Sequence, residues 1–208
     1  MMTKYPRTPH LSYSLGRSQD DLAFTGDFTG QQVIVTEKLD GECTTMYRHH
    51  IHARSLDSRH HESRAWVKQL HGSMAHLIPD GLRLCGENVY AQHSIYYAGL
   101  TSYFYVFAAF QGRVCLSWAD TVEWAQLLGL ETAPSLYHGL YENKPVRGCF
   151  TGKSAFVGEQ EGFVVRVAGA FDEADFGLNV AKFVRAGHVQ TDEHWLNREV
   201  IPNRLRSD

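Results

Sequence analysis

The stretch of sequence that decides the fold is VIVTEKLDG, residues 33–41. Its first four residues are apolar or β-branched, which predicts a short buried strand that ends at Glu37. Lys38 then lies between this strand and a second one predicted over residues 44–47. A lysine attacks phosphorus only as the neutral amine, and at an ordinary pKa near ~10.4 only about one in 2,500 is neutral at pH 7. Taken alone, the string K-x-D-G favours an exposed turn, so the rest of the chain decides its meaning.

Short strands and two helices are predicted on either side of this stretch. The strands cover residues 33–36, 44–47, 82–85, 103–110, 162–167 and 180–184, the helices cover 62–77 and 119–128, and residues 4–10 form an extended arm. This order predicts an α+β fold built around antiparallel sheet. No repeat or linker divides the chain, so we expect one domain over residues 1–208. A short helix over residues 194–202 is expected to pack back on it.

Length and composition exclude several classes of protein. The 208 residues suffice for one full domain, and 43% hydrophobic and 21% charged residues exclude a disordered, collagenous or coiled-coil chain. We find no membrane-length apolar run and no secretory signal. The four cysteines are widely spaced, which predicts reduced thiols and a cytoplasmic protein with no membrane partner. A formal charge of -3 excludes coating of nucleic acid by bulk attraction but permits a local basic groove.

Two other patterns suggest a metal site and a phosphate-binding loop, but neither is predicted to be one. Five histidines cluster within residues 49–61, but they lack cysteine partners and metal-site spacing, so a solvated surface is predicted. The string GCFTGKS, residues 148–154, is similar to a phosphate-binding P-loop. It has three residues between its glycines where that motif needs four, and no hydrophobic strand precedes it. We interpret it as a loop.

Six short sequence motifs together indicate a functional role for Lys38. They are EKLDG (37–41), ARS around Arg54, GEN around Glu87, SYFYVF (102–107), EGFVV beginning at Glu161, and VAKFVR (180–185). In order and spacing they resemble motifs I, Ia, III, IIIa, IV and V of the covalent nucleotidyltransferases, which comprise ATP-dependent ligases and mRNA-capping enzymes. The sequence is most similar to RNA ligases of the phage RNA ligase 2 and trypanosome editing-ligase branch, over about residues 30–190. The resemblance implies an ATP-grasp-like adenylation domain.

The resemblance also implies a reaction. Lys38 would attack the α-phosphate of ATP to form lysyl-AMP, the AMP would pass to an RNA 5′-phosphate, and a 3′-hydroxyl would displace it to join the ends. Lys182 would contact the α-phosphate and, as a nearby cation, help to keep Lys38 unprotonated. Glu161 would hold Mg²⁺ or Mn²⁺, which both prefer oxygen ligands.

The remaining matches imply contacts to the nucleotide. Glu87 would bind the ribose hydroxyls, Arg54 would hold phosphate or the RNA end, and Phe104 would stack on adenine. Glu37 would help to read the base through its backbone. Each residue also has a plainer interpretation, because Phe104 fits a core position and the charged side chains fit a solvated surface.

The sequence departs from the family at several positions. Many relatives have a second motif V lysine where this chain has Val184, and Arg185 is the nearest cation that could replace it, although on a strand it would face the opposite way. Relatives have Asn at Cys43 and a polar residue at Ala108. Too few residues follow Lys182 for a further domain, so we expect no separate C-terminal OB-fold or helical domain.

Alternative functions remain open at this point. A DNA ligase or a GTP-using capping-type enzyme would share the motifs, and a non-catalytic module that binds RNA ends would share the fold. A non-catalytic module is disfavoured because Lys38, Glu161 and Lys182 are all present. The expected partners are RNA 3′-hydroxyl and 5′-phosphate ends, with an end-healing polynucleotide kinase-phosphatase as a candidate protein partner.

Overall fold

The computed structural model describes residues 2–56, 60–187 and 199–206. The strands among these residues are β1 (Gln32–Lys38), β2 (Glu42–Met46), β3 (Ile51–Ala53), β4 (Leu82–Asn88), β5 (Ala98–Leu100), β6 (Phe104–Gln111), β7 (Val114–Cys115), β8 (Glu131–Thr132), β9 (Ser135–Leu140), β10 (Gly162–Val167), β11 (Phe171–Asp172), β12 (Val180–Val184) and β13 (Arg204–Leu205). The α-helices are α1 (Ala65–Met74), α2 (Trp118–Leu127), α3 (Asn143–Gly148) and α4 (Phe176–Asn179).

These strands form two main sheets. The smaller sheet has four strands in the order β12-β10-β1-β9. The larger has seven, in the order β11-β7-β6-β4-β2-β3, with β8 added beside β6. Nearly all pairs are antiparallel, and the exceptions are β6 with β8 and β5 with β13. The predicted α+β fold built on antiparallel sheet is confirmed.

Each sheet has its own apolar core on the side away from the other sheet. Because side chains alternate along a strand, Phe163 and Val165 of β10 enter the core of the small sheet while Val164 faces the opposite way. The large sheet packs its outer face against α1 and α2, which contribute Val67 and Ala125 among others. The two remaining faces are therefore free to enclose a cleft.

The predicted elements agree with this structure in type. The helix predicted over residues 62–77 is α1 extended at both ends by 3-10 turns, Glu62–Arg64 and Ala75–Leu77. The strands predicted over 162–167 and 180–184 match β10 and β12 residue for residue. Sequence reasoning missed the short edge strands and β9, whose Gly139 and His138 weaken the strand pattern.

The end of the described chain differs from the prediction. Residues 194–198 of the predicted helix lie outside the described residues, and residues 199–206 contain the strand β13 instead of a helix. This strand pairs with β5, and the Asn203 side chain accepts from the backbone of Tyr97 and donates to that of Val89. The tail thus packs back on the domain, as expected, but through strand pairing.

The arm over residues 4–10 is extended, as predicted from its two prolines. Lys182 donates its backbone N–H to the carbonyl of Pro9 at 2.9 Å, and Leu11 donates to the carbonyl of Lys182 at 2.9 Å. The arm therefore continues the small sheet beyond β12.

All four cysteines are free thiols, as expected. Across the described ranges, the search for a helix long and apolar enough to cross a membrane found none.

Candidate active site

A cavity of about 540 Å³ lies between the two sheets. The small sheet lines it with Thr36, Lys38, Val164, Arg166, Val180 and Lys182, and the large sheet with Cys43, Glu87, Phe107 and Cys115. The volume falls within the ~300–1,000 Å³ typical of sites for small molecules. Strand register places Lys38 opposite Gly162 at one end of the cavity, and Arg166 opposite Ile34 at the other.

Six of the predicted site residues line this cavity, although they come from distant parts of the chain. They are Glu37, Lys38, Arg54, Glu87, Glu161 and Lys182. Arg54 is an exposed residue just after β3, so it stands at the mouth. Phe104 and Arg185 are not among the lining residues.

Lys38 and Glu161 form an ion pair inside the cavity. Lys38 ends β1, Glu161 directly precedes β10, and Lys38 Nζ donates to Glu161 Oε2 at 2.5 Å. A Cβ at Gly162 would lie 2.0 Å from the carbonyl oxygen of Phe183. Glycine therefore allows β12, and Lys182 with it, to approach this pair closely.

This pair fixes the protonation state of the lysine. Burial by itself would lower the pKa of Lys38, but the carboxylates of Glu161, Glu87 and Asp40 outweigh it and raise the pKa. Lys38 is thus a protonated ammonium in the free protein at neutral pH. Burial raises the pKa of Glu161, and the charge of Lys38 opposes that shift.

Two neighbours have pKa values close to physiological pH. Burial, followed by repulsion from Lys38, lowers the pKa of Lys182 to about 8. Burial raises the pKa of Glu87 to about 8, although the attraction of Lys38 opposes this shift. Groups poised in this way are typical of functional sites, because their charge responds to whatever binds beside them.

The carboxylates Glu161 and Glu87 fit a divalent cation. Glu161 is buried and Glu87 is half-buried, and the charge of Glu161 further raises the pKa of Glu87, so a cation beside them would relieve unfavourable charge. Within the described ranges, no group of three or more His, Cys, Asp or Glu side chains could hold a metal by itself. One or two carboxylates are what Mg²⁺ uses when substrate phosphates and water complete its shell.

Phe104 is not positioned to stack on a bound base. It is fully buried in the core behind the large sheet, whereas Phe107 lines the cavity. Because side chains alternate along a strand, Phe104 and Phe107, three residues apart, lie on opposite faces of β6. A β-bulge follows, since Cys85 pairs with Ala108 and Gly86 with Val106, and it changes the face only of the residues after Phe107. In the sequence, the run of aromatic residues in β6 was the one feature that indicated an aromatic ring at the site.

Arg185 does not line the cavity with Lys38 and Lys182. It lies just beyond β12, and its guanidinium forms an ion pair with Glu159 at 3.4 Å. Val180, Lys182 and Val184 share the face that lines the cavity, so the position of the missing cation is apolar here.

Glu37 lines the cavity, but its carboxylate is engaged elsewhere. Its Oε2 accepts a hydrogen bond from the backbone N–H of Ala155 at 2.8 Å, and its own N–H donates to the carbonyl of Pro134 at 2.8 Å. Ala155 belongs to the segment after α3, which includes most of the P-loop-like string and is a loop, as predicted.

Several residues around the site were not found by sequence reasoning. Asp40 accepts from the backbone N–H groups of Ser94 and Ile95 at 2.8 and 2.9 Å, which fixes the turn after Lys38. Buried Arg64 and Glu42 form a two-pronged ion pair at the cavity wall. Tyr5 also lines the cavity. These contacts join residues far apart in sequence, so no local pattern marks them.

The histidine cluster follows the surface prediction only in part. His49, His50 and His60 are exposed, and His61 is half-buried. His52 is buried, with Nδ1 2.5 Å from the carbonyl oxygen of Ala53. For His52 the surface prediction was wrong, because its position in β3 turns it inward.

Two lysines and the side chains of Glu87 and Glu161 thus lie together in a cleft between two antiparallel sheets. The profile of the RNA ligase family matches residues 31–184, so the chain belongs to the RNA ligase family. No curated protein matches the sequence significantly.

Solved structures share the fold. The Naegleria gruberi RNA ligase with PPi has a TM-score of 0.53 at 19% identity, covering 78% of this chain and 52% of that one. A mutant of that ligase with ATP and Mn has a TM-score of 0.54 at 18% identity, with 78% and 52% coverage. An archaeal ATP-dependent RNA ligase has a TM-score of 0.56 at 14% identity, covering 88% and 48%. The chain therefore spans about half the length of these relatives.

Proposed function

We propose that this protein is an ATP-dependent RNA ligase that transfers AMP from ATP to Lys38 and then to an RNA end. The observation that carries the proposal is the cluster of Lys38, Glu161 and Lys182 in a cavity of nucleotide size. Membership of the RNA ligase family supports RNA ends as the substrate. The likeness to a ligase with ATP and Mn supports ATP and a divalent metal.

The first step forms a bond from nitrogen to phosphorus. After the Lys38 ammonium loses one proton, its lone pair attacks the α-phosphorus of ATP, and the bond from that phosphorus to the bridging oxygen breaks. Pyrophosphate leaves with the electron pair, and the nitrogen loses a second proton to give lysyl-AMP. Such transfers depend mostly on positioning and on neutralising phosphate charge. Lys182 would neutralise the α-phosphate, and Arg54 at the mouth would hold phosphate or the RNA end.

Two further steps would join the RNA. An oxygen of the RNA 5′-phosphate attacks the phosphorus of lysyl-AMP and breaks its bond to nitrogen, which frees Lys38. The 3′-hydroxyl of the other end then attacks the activated 5′-phosphate, and AMP leaves. The steps after adenylation need RNA held at the mouth of the cavity, beside Arg54.

The apolar end of the cavity suits the base. Phe107 from one sheet and Val164 from the other line it, and a flat base between them would contact both. Glu87 would bind the ribose, and the backbone of Glu37 would face the base edge. These assignments leave the cations Lys38, Lys182 and Arg54 for the phosphates, whose negative charge they would neutralise.

Glu161 would hold Mg²⁺ or Mn²⁺. A divalent cation there supplies charge neutralisation for the phosphates. In the free protein Glu161 holds Lys38 in its protonated form; when the carboxylate is drawn toward a cation, the pKa of Lys38 falls. Glu161 therefore has two roles, as metal ligand and as the group that keeps the nucleophile inactive until substrate binds.

The cellular setting is proposed from the free cysteines and from the RNA ends that the reaction requires. Four free cysteines support a reducing, cytoplasmic environment. A polynucleotide kinase-phosphatase that prepares 3′-hydroxyl and 5′-phosphate ends is the proposed partner, because the reaction requires such ends. A pull-down with the Lys38→Ala protein would test this partner.

The deciding experiment is incubation with α-labelled ATP or GTP and Mg²⁺, followed by a denaturing gel and mapping of the labelled tryptic peptide. We expect acid-stable labelling by ATP at Lys38, lost in Lys38→Ala and also in Lys38→Arg, because a guanidinium stays protonated at working pH. The exposed Lys153→Ala variant is the control and should label normally. Labelling by GTP alone would favour a capping-type enzyme, and the absence of labelling would favour a non-catalytic module.

A further inference from the structure

The extended arm crosses the cleft from one sheet to the other. At one end, the hydroxyl of Tyr47 bonds to both backbone groups of Thr3, and Arg83 of β4 donates to the Thr3 carbonyl at 3.2 Å. At the other end, Pro9 accepts from Lys182 of β12. Residues 3–9 therefore bridge the large sheet and the small sheet.

Between these two anchors, the arm inserts Tyr5 into the cleft. The Tyr5 ring meets Phe107 edge to face, with centroids 4.9 Å apart, and meets Phe176 in the same way at 5.1 Å. Val164 of the opposite sheet belongs to the same apolar cluster. Tyr5 thus touches the aromatic ring that faces the proposed base position.

The arm forms a wall of the cavity and does not fill it. The cavity of about 540 Å³ is the space that remains with Tyr5, Pro6 and Thr8 among its lining residues. That volume is still within the range of nucleotide-sized sites. If the arm were a plug that had to move out before ATP could bind, no cavity of this size would remain beside it.

We propose that residues 3–9 are a strap that closes the base end of the nucleotide pocket, and that Tyr5 positions the base by holding Phe107 in place. The proposal rests on the proposed function, because it takes the nucleotide as ligand. Tyr5 lies at the apolar end, away from Lys38, so it acts on nucleotide affinity and base selection. The chemical step at the α-phosphate is left unchanged.

The chain offers a matched control residue. Tyr13 is a second half-buried tyrosine of the N-terminal segment, but it packs on the other face of the small sheet, against Phe183, with Arg147 over its ring at 3.9 Å. Its removal should lower the melting temperature much as removal of Tyr5 does. It should leave the cavity untouched.

The test measures binding of α,β-methylene-ATP and α,β-methylene-GTP, which cannot transfer their nucleotide, by calorimetry with Mg²⁺. We expect Tyr5→Ala and Tyr5→Leu to bind the ATP analogue about fivefold more weakly, as loss of one aromatic contact predicts, and to discriminate less against the GTP analogue. Tyr5→Phe and Tyr13→Ala should bind like the unchanged protein. At saturating ATP, the single-turnover adenylation rate of Tyr5→Ala should stay within about twofold, so KM rises while kcat does not.

A second measurement, limited proteolysis by trypsin, reports on the strap itself. The Arg7 side chain is 57% exposed, so trypsin can cut after it. The ATP analogue should slow this cleavage in the unchanged protein and in Tyr13→Ala, but much less in Tyr5→Ala. Equal binding by Tyr5→Ala would show a purely structural arm, and tighter binding would show an inhibitory plug; either result overturns the proposal. If the unchanged protein binds neither analogue, the proposed function itself fails.

Discussion

Lys38 must lose a proton before it can attack phosphorus, and its surroundings in the free protein oppose that loss. Its partner Glu161 is 2.5 Å away, and the nearby Glu87 and Asp40 also raise the pKa of Lys38. Nucleotide and metal binding must therefore change the electrostatics of the site before chemistry can begin. At the scale of single residues, the protonation state of Lys38 is therefore the property to measure.

Replacement of Glu161 separates its two roles. In Glu161→Gln we expect adenylation to fall on the order of 100-fold or more in Mg²⁺, because the metal loses a carboxylate. The pKa of Lys38 should fall at the same time, since its nearest counter-charge is gone. Faster modification of Lys38 by an amine-selective acylating reagent, mapped by mass spectrometry, would report that fall. Glu159→Gln, which removes an exposed carboxylate paired with Arg185, is the control. Normal labelling by Glu161→Gln would refute the metal role.

The pKa of Lys182 predicts how ATP binding depends on pH. With a pKa of about 8, Lys182 is a cation below pH 8 and neutral above it, and phosphate binds only the cation strongly. The groups that act on it are Lys38, Asp21, Arg54 and Glu161. We expect α,β-methylene-ATP to bind about tenfold more weakly at pH 9 than at pH 7. Lys182→Arg, which keeps its charge, should flatten the profile. An unchanged slope in that variant would assign the pH dependence to another group.

At the scale of the elements, the face of β6 that each aromatic ring occupies decides which ring serves the nucleotide. Phe104→Ala empties a fully buried position and should lower the free energy of unfolding by about 3–5 kcal/mol in a urea titration. Because Phe104 does not line the cavity, the protein that remains folded should bind α,β-methylene-ATP normally. Phe107→Ala should show the reverse, with a smaller loss of stability and clearly weaker binding. Weak binding by Phe104→Ala alone would restore Phe104 as the ring that stacks on the base.

At the scale of the whole molecule, both sheets and the strap are needed to enclose the pocket. Every lining residue falls between Tyr5 and Val184. The chain should therefore adenylate itself without another protein, in an enclosed site that salt affects little. Purified protein incubated with labelled ATP at about 50 and about 200 mM salt tests this, and a requirement for a second chain would contradict it.

Joining of RNA should behave differently from adenylation, because RNA must be held outside the pocket. The formal charge is -3, and among the described residues few cations besides Arg54 line the outer part of the cavity, so we expect few phosphate contacts. With about two such contacts, sealing of a 5′-adenylated RNA nick should slow roughly tenfold between about 50 and 200 mM salt. Free single strands should be sealed more slowly than the nick in single-turnover assays. Tight, salt-insensitive sealing of both substrates would contradict this expectation and show that the protein grips RNA mainly through uncharged contacts.

The sequence by itself determined the class of fold and most of the charged site. The strand pattern, the glycines and the order of six motifs are local features, and they identify Lys38, Glu87, Glu161 and Lys182, which the cavity then brings together. Only the tertiary structure decided the rest. The packing of the large sheet buries Phe104 on its outer face and turns Phe107 toward the cavity, and Tyr5 reaches the pocket because the arm is anchored on both sheets. The protonation of Lys38 depends on a carboxylate 123 residues away, and no local pattern can encode a distance set by packing.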